Sequence, residues 1–263
     1  MSAATQLVEL LELERHPVAV AFLDTPPEDL PRTEQMAAAG CGYWKRAADG
    51  EAFYTEATDH YGCPIGAHTH GIDLPEAQGA ELEDVIGTMI ELEYLEMQEV
   101  AGIPRREESF GVVSYAPLAK TTFEPDVVLV RGSARQMMGL AEAAHAAGVA
   151  CHSMVGRPTC AAIPEVMQSG LSATNLGCIG NRVYTELGDD ELYFAFAGLQ
   201  LEKIVERLSA IVNANKQLET YHRERGHHEQ LQESLALSHP SQSPAGIPRG
   251  RGVFVRFWQN TGP

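Results

Sequence analysis

Apolar and acidic residues repeat at helical spacing over residues 3–15, which predicts an amphipathic helix at the start of the chain. Pro17 ends that pattern, and the uninterrupted apolar run Val18–Leu23 predicts a buried strand. The segment Asp-Val-Val-Leu-Val-Arg at 126–131 predicts a second strong strand. The chain therefore contains both helix and strand patterns.

Ser133 stands where it would cap a helix that ends at Gly148, and 149–154 predicts the strand after it. A strand, a helix and a strand within about thirty residues predict a β-α-β crossover. The remaining pattern predicts helices over 34–48, 76–99, 160–168 and 199–222, and strands over 53–57, 110–118, 183–187 and 192–197. We therefore expect an α/β (or α+β) fold, a mixed sheet flanked by helices.

The pattern changes after Gly226, where polar residues take over. Residues 238–252 are rich in Ser, Pro, Gly and Arg, which is typical of a linker or a flexible tail. We expect one α/β core domain over 1–225 and a polar C-terminal extension over 226–263.

Composition narrows the class of partner. Nineteen basic and 36 acidic residues among 263 give a formal charge of −17, which argues against nucleic acid and anionic membrane surfaces. No apolar run reaches the roughly 18 residues of a membrane span, and the N-terminus lacks the basic region of a signal peptide. We expect a cytoplasmic protein, in which five cysteines indicate metal binding or catalysis more than disulfides.

Four cysteines lie beside glycine, proline or threonine in short, turn-like segments: Cys41, Cys63, Cys160 and Cys178. Four thiolates can close a tetrahedral zinc site or hold an iron–sulfur cluster, and glycine-rich turns let the backbone approach such a centre. The fifth cysteine, Cys151, lies in an apolar run and is expected in the core. We therefore expect the loops that carry the four cysteines to converge on one site.

The spacing of the four cysteines is unlike that of zinc ribbons or bacterial ferredoxins. Successive separations are 22, 97 and 18 residues, with no Cys-x-x-Cys pair, so only the tertiary fold could assemble the site. The leading hypothesis is a [4Fe–4S] cluster with a redox or electron-transfer role, and zinc is the alternative. His68 and His70, which follow Cys63 closely, are alternative ligands.

Arg182, Arg157 and Asn181, beside these segments, are candidates for binding a cofactor or an anion, and so is Lys120, which follows a predicted strand and a proline. Two further hypotheses stay open. One is a thiol enzyme whose nucleophile is Cys63 or Cys160 with a histidine base. The other is a non-catalytic module that binds a small anion or a tetrapyrrole. A redox partner protein or a small-molecule ligand would accompany these functions, and a homo-oligomer is compatible with the sequence.

Several strings resemble domain-of-unknown-function family 169: Cys-Pro-Ile-Gly-Ala at 63–67, Ala-Pro-Leu-Ala-Lys at 116–120, Phe-Glu-Pro-Asp-Val-Val-Leu-Val at 123–130, Gly-Arg-Pro-Thr-Cys at 156–160, Gly-Cys-Ile-Gly-Asn-Arg-Val-Tyr at 177–184 and Asp-Asp-Glu-Leu-Tyr-Phe-Ala-Phe-Ala at 189–197. The resemblance covers about residues 5–212 and keeps this order. It implies cysteine at the four turn positions, leaves Cys151 outside the pattern, and implies no activity.

Overall fold

The computed structural model describes residues 1–154 and 157–234, without the side chains of 153–154 and 227–234. The chain divides into two compact units, Met1–Lys216 and Gln217–Pro263. The first unit contains the sheet, and the described part of the second is helical. The linker predicted at 238–252 lies outside the described residues, so the domain boundary at residue 225 stays a prediction.

The described residues form nine α-helices and seven strands. The helices are α1 (Ala3–Leu11), α2 (Cys41–Ala48), α3 (Pro64–Thr69), α4 (Glu76–Glu91), α5 (Met97–Val100), α6 (Ala134–Ala146), α7 (Ala162–Ser169), α8 (Ile179–Thr185) and α9 (Leu201–Ser234). The strands are β1 (Val18–Leu23), β2 (Phe53–Thr55), β3 (Val112–Pro117), β4 (Val127–Ser133), β5 (Cys151–Met154), β6 (Ser172–Asn175) and β7 (Glu191–Ala197).

The strands form one seven-stranded sheet in the order β2-β3-β1-β4-β7-β6-β5. Strands β5 and β6 pair in parallel, and the other neighbours pair antiparallel. The predicted α/β class with a mixed sheet is therefore confirmed. The last strand among the described residues, β7, lies in the interior of the sheet between β4 and β6.

Ser133 caps α6 as predicted, because its hydroxyl accepts from the backbone N–H of Gln136 while the Gln136 side chain accepts from the Ser133 N–H. Helix α6, the helix of the predicted β-α-β crossover, connects β4 and β5, which are strands of the same sheet. These strands are not neighbours, because β7 and β6 lie between them.

The strand predicted at 183–187 is wrong, because these residues belong to α8 and the turn after it. Val183 and Tyr184 favour strands by propensity. Here the Cys178 side chain caps the segment as a helix, and Glu186 ends it in the left-handed conformation. The helix predicted over 34–48 begins only at Cys41, and the one predicted over 76–99 is interrupted at Glu93, which has φ 54°.

Side chains alternate between the two faces of the sheet and form two cores. We call one the packed face, where α1, α6 and α9 cover residues such as Ala19, Val128 and Phe194. We call the other the cavity face, where α2 and α7 cover Val20, Tyr115 and Leu129. All four turn cysteines lie on the side of the cavity face.

Candidate functional site

A cavity of about 270 Å³ opens beside the cavity face, and all four turn cysteines line it. Cys41 is the first residue of α2, and Cys63 immediately precedes α3. Cys160 lies in the short 3-10 helix Thr159–Ala161 before α7, and Cys178 immediately precedes α8. The turn-like sequence around each cysteine thus corresponds to the start of a helix.

Two of these helix starts are joined by a hydrogen bond. The backbone N–H of Cys178 donates to Thr159 Oγ1 at 2.6 Å, which places the Cys160 segment beside the Cys178 segment. Gly177 lies just before Cys178 with φ 80°, and a Cβ there would lie 2.5 Å from Leu187 Cδ2. Only glycine therefore fits this approach to α8 without displacing its neighbours.

One wall of the cavity is a covering segment, which we define as residues 76–103 and which includes α4 and α5. Its lining residues are mostly apolar: Leu82, Ile86, Met89, Tyr94, Leu95, Val100 and Ile103. Leu82, Ile86 and Met89 recur at helical spacing on α4, yet no described side chain of that helix is fully buried. The covering segment therefore presents an apolar stripe to space that protein atoms do not fill.

Arg157 fastens the covering segment to the segment that carries Cys160. Its guanidinium donates to the backbone carbonyl of Tyr94 at 2.5 Å, pairs with Glu99 at 2.9 Å, and lies 5.1 Å from the centre of the Tyr94 ring. The predicted cofactor-binding Arg157 thus lines the cavity with its charge already paired.

Asn181 is the most deeply buried amide at the cavity, with only 1% of its surface exposed. Its Nδ2 and Oδ1 make no hydrogen bond of ordinary geometry among the described residues, but the amide lies close enough to Cys41 and Tyr193 to oppose the rise in the pKa of each. Of the predicted cofactor-binding residues, Asn181 and Arg157 line the cavity. Arg182 does not, because it donates to the backbone carbonyls of Leu176 and Gly188, and neither does Lys120, which is exposed at the end of the 3-10 helix Leu118–Lys120.

Burial keeps two of the thiols protonated. It raises the pKa of Cys41 to about 12, which the nearby Asn181 amide only partly opposes. Burial also raises the pKa of Cys160 well above its usual value, with a further contribution from Cys63. Since the thiolate is the nucleophile, the hypothesis of Cys160 as a catalytic nucleophile loses support.

The predicted alternative ligands His68 and His70 lie in different surroundings. His68 lines the cavity, where partial burial and then Arg105 lower its pKa. His70 is fully buried with His60, their ring centres 5.6 Å apart, and burial lowers the pKa of His70 to about 3 and of His60 to about 4. All three imidazoles are therefore neutral at neutral pH.

The predicted iron–sulfur cluster is wrong, and the zinc alternative fails on the same finding. Among the side chains that the structure describes, those of residues 1–152 and 157–226, no group of three or more His, Cys, Asp or Glu is placed to hold a metal ion. The four cysteines share a cavity wall, but they do not converge as the ligands of one metal. The redox role inferred from the cluster falls with it. Cys151, expected in the core, is exposed on β5.

Most residues that line the cavity were not among the residues predicted from the sequence. Leu82, Ile86 and Met89 have no neighbouring polar motif, so only their helical spacing could have marked them. Thr69, fully buried at the end of α3, is a further lining residue without a sequence signal; its hydroxyl donates to the Gly66 carbonyl at 2.9 Å.

Fold and site together define a single-sheet α/β protein with a thiol-lined apolar cavity. The profile of domain-of-unknown-function family 169 (DUF169), described as an uncharacterised ArCR family, matches residues 6–207. The chain therefore belongs to this family, as its motifs predicted. The uncharacterized protein MJ0308 of Methanocaldococcus jannaschii is 28% identical over 216 residues, which cover 78% of this chain and 91% of that protein. No solved structure matches the chain. No helix in the described part of the chain is long and apolar enough to cross a membrane.

Proposed function

We propose that the protein binds a small, uncharged and largely apolar molecule in the cysteine-lined cavity. The observation that carries the proposal is the covering segment, whose apolar stripe of Leu82, Ile86 and Met89 faces unfilled space. Burial of apolar surface drives binding, and concave sites with few polar groups are the usual form of small-molecule pockets.

The size of the cavity limits the ligand. At about 270 Å³ it is slightly smaller than the roughly 300–1,000 Å³ of pockets for drug-sized molecules. A tetrapyrrole is too large for this space, so the structure does not support that alternative. The ligand that fits is a compact molecule enclosed between the covering segment and the four helix starts.

The charges at the cavity favour a neutral ligand. Arg157 is the one charged side chain among the lining residues that the structure describes, and it already pairs with Glu99. Protonated thiols at Cys41 and Cys160 and a neutral His68 add no charge. An ionic ligand would lose its hydration without gaining a counter-charge, which is strongly unfavourable. A small anion is therefore disfavoured as the ligand.

The proposed location is the cytoplasm. Five cysteines are free in the described residues, Cys151 among them as an exposed thiol. A reducing compartment keeps such thiols from forming disulfides. In such a compartment, the cysteines of the cavity wall would stay free thiols that can contact the ligand.

Calorimetric titration with 1-octanol, octanoate and octylammonium tests the proposed function. We expect 1-octanol to bind and both ions to bind at least about tenfold more weakly, because the cavity offers them no unpaired charge. Ile86→Trp should abolish binding of 1-octanol by filling the cavity. Leu92→Trp is the matched control, because Leu92 ends the same helix and is 73% exposed. Equal binding of octanoate and 1-octanol, or unchanged binding by Ile86→Trp, would contradict the proposal.

A further inference from the structure

The mouth of the cavity is bordered by apolar side chains that also face solvent. Ile179 and Tyr184 of α8 and Tyr94 of the covering segment all line the cavity, and all three are exposed, Ile179 by 69%. A side chain that both lines a cavity and faces solvent lies at the rim of that cavity. The mouth therefore opens between α8 and the covering segment, with apolar side chains on both edges.

The exposed apolar surface continues past the mouth on both sides. Twelve large apolar side chains are exposed in the part of the chain that the structure describes, and seven of them belong to these two elements. Besides the three at the mouth, they are Leu92 and Met97 of the covering segment, Val183 of α8, and Leu176 just before α8. We call these seven side chains the rim surface. Exposed apolar side chains that gather around a cavity mouth indicate an interaction site, whereas scattered ones need no explanation.

The covering segment surrounds its part of the rim surface with negative charge. Residues 76–103 contain eight acidic residues and no lysine, arginine or histidine, and all eight acidic residues are exposed. Two arginines near the cavity are already engaged, because Arg157 pairs with Glu99 and Arg182 is held by backbone carbonyls. The covering segment therefore keeps a large excess of negative charge beside its exposed apolar side chains.

Charge decides which partner fits the rim surface. In a two-fold dimer through this surface, a second copy of the chain would bring the same eight carboxylates close to their equivalents, and an anionic membrane would repel them. A basic partner is attracted by the same charge, which speeds association and fixes the orientation of the complex. An apolar centre with a charged border is also the usual layout of a protein–protein interface.

We propose that the rim surface docks a basic amphipathic helix of another protein. Its apolar side chains would contact Leu92, Tyr94 and Ile179, and its lysines or arginines would pair with the carboxylates of the covering segment. A helix that lays its apolar face in an apolar groove is a common mode of recognition. Docking would cover the mouth of the cavity, so the partner would control the entry and exit of the contents of the cavity. The rim surface lies outside the cavity and does not depend on the proposed ligand.

Binding of labelled peptides to the full chain, followed by fluorescence anisotropy, tests the proposal. The probe is a peptide of leucine and lysine at amphipathic helical spacing. One control peptide has glutamate in place of lysine, and the other has serine in place of leucine. We expect the leucine–lysine peptide to bind at least about tenfold more tightly than either control, and its affinity to fall as salt is added. Equal binding of either control peptide would overturn the proposal.

Paired variants locate the binding site of the leucine–lysine peptide. Glu91→Gln with Glu93→Gln removes the two carboxylates that flank Leu92 and should weaken binding at least about threefold. Glu202→Gln with Glu206→Gln removes the same charge from exposed positions of α9, which covers the packed face, and should change binding less than about 1.5-fold. Equal effects of the two double variants would show attraction to net charge alone and would overturn the proposal.

A second pair of variants tests the apolar contact. Leu92→Ser should weaken binding of the leucine–lysine peptide at least about threefold, because an apolar contact is lost. Leu199→Ser is the matched control, since Leu199 is 88% exposed on the 3-10 helix Gly198–Gln200 and does not belong to the rim surface. Both positions are exposed, so both variants should fold. Unchanged binding by Leu92→Ser, or the same loss in Leu199→Ser, would overturn the proposal, while binding of 1-octanol would still test the proposed function separately.

Discussion

The two faces of the sheet bury different kinds of side chain. The packed face buries aliphatic and aromatic side chains such as Leu7, Leu140 and Phe196, all 0% exposed. The cavity face buries polar groups as well, and His70, which packs on Phe22, and Tyr115 carry side-chain atoms without a hydrogen-bond partner among the described residues. Unpaired buried polar groups lower stability, so their concentration on one face indicates that this face serves function.

A polar cluster beneath α3 extends this contrast. Thr55 Oγ1 donates to the Val113 carbonyl at 3.2 Å, so it accepts from His60 Nε2 at 2.8 Å. That assignment places the ring proton of His60 on Nε2 and leaves Nδ1 as a buried acceptor. The guanidinium of Arg106 lies 4.8 Å from the centre of the Phe22 ring, and the Phe22 ring packs edge-on against His70. The packed face has no comparable group of histidines and arginine among its described residues.

The largest predicted effect is the difference in lost stability between truncating a side chain on the packed face and truncating one at the cavity. Leu140→Ala removes a fully buried side chain of the packed face and should lower the free energy of unfolding by about 2–5 kcal/mol. Ile86→Ala, at the wall of an existing cavity, should cost less than about 1 kcal/mol because few contacts are lost. Chemical denaturation measures both values. Similar losses for the two variants would contradict the difference between the faces.

Acid should weaken the cavity face through its histidines. The pKa of His60 is about 4 and that of His70 about 3 in the folded chain, against about 6.5 when unfolded. The unfolded chain therefore binds more protons below about pH 6.5. The contribution of the two neutral histidines to the free energy of unfolding is fully present above about pH 6.5. It is lost as the pH decreases, by about 1.4 kcal/mol per pH unit for each histidine, until the pKa of that histidine in the folded chain is reached.

Replacement of one histidine measures this dependence. In denaturation at a series of pH values, His70→Leu should reduce the slope by about 1.4 kcal/mol per pH unit. Its stability at pH 7.5 should be unchanged or higher, because both ring nitrogens of His70 lack a partner among the described residues. His145→Gln, at an exposed position on α6, should keep the original slope. A slope that His70→Leu leaves unchanged would exclude this origin of acid sensitivity.

The smallest predicted effect concerns two tyrosines. The hydroxyl of Tyr115 is buried without a partner among residues 1–154 and 157–234, whereas that of Tyr193 donates to Thr185 Oγ1 at 3.2 Å. Tyr193→Phe should therefore cost about 1 kcal/mol, and Tyr115→Phe should be neutral or slightly stabilising. Thermal and chemical unfolding of the pair would show the difference. A larger loss for Tyr115→Phe would mean that its hydroxyl has a partner, such as a buried water.

The sequence was most informative where local rules and packing agree. The apolar run Val18–Leu23 is a strand with those bounds, and Ser133 caps α6, because a buried run and a cap each depend on a few adjacent residues. The helix at 179–185 was missed, because its start depends on Cys178 as a cap and Gly177 as a close approach. Such tertiary contacts override the strand propensity of Val183.

The candidate site was predictable only in part. The turn context of the four cysteines predicted loops that converge on one site; all four line one cavity, but they do not form the group of ligands that the prediction required. Their separation in sequence contains no information about the distances between sulfur atoms, so the metal hypothesis could not be tested until the fold was known. The apolar lining of the covering segment has no motif at all, because apolar side chains at helical spacing are also how ordinary cores are built.

The position of β7 determines when the cavity can exist. The strands β2, β3, β1 and β4 form one part of the sheet, β6 and β5 form another, and β7 alone joins them. Cys41 packs with the first part, whereas Cys160 and Cys178 flank the strand β6 of the second. A growing chain that ends before Glu191 therefore contains all four cysteines and Asn181 but not the strand that brings their helices together. The proposed ligand therefore needs a chain that has been made at least as far as β7, because only then is the wall of the cavity complete.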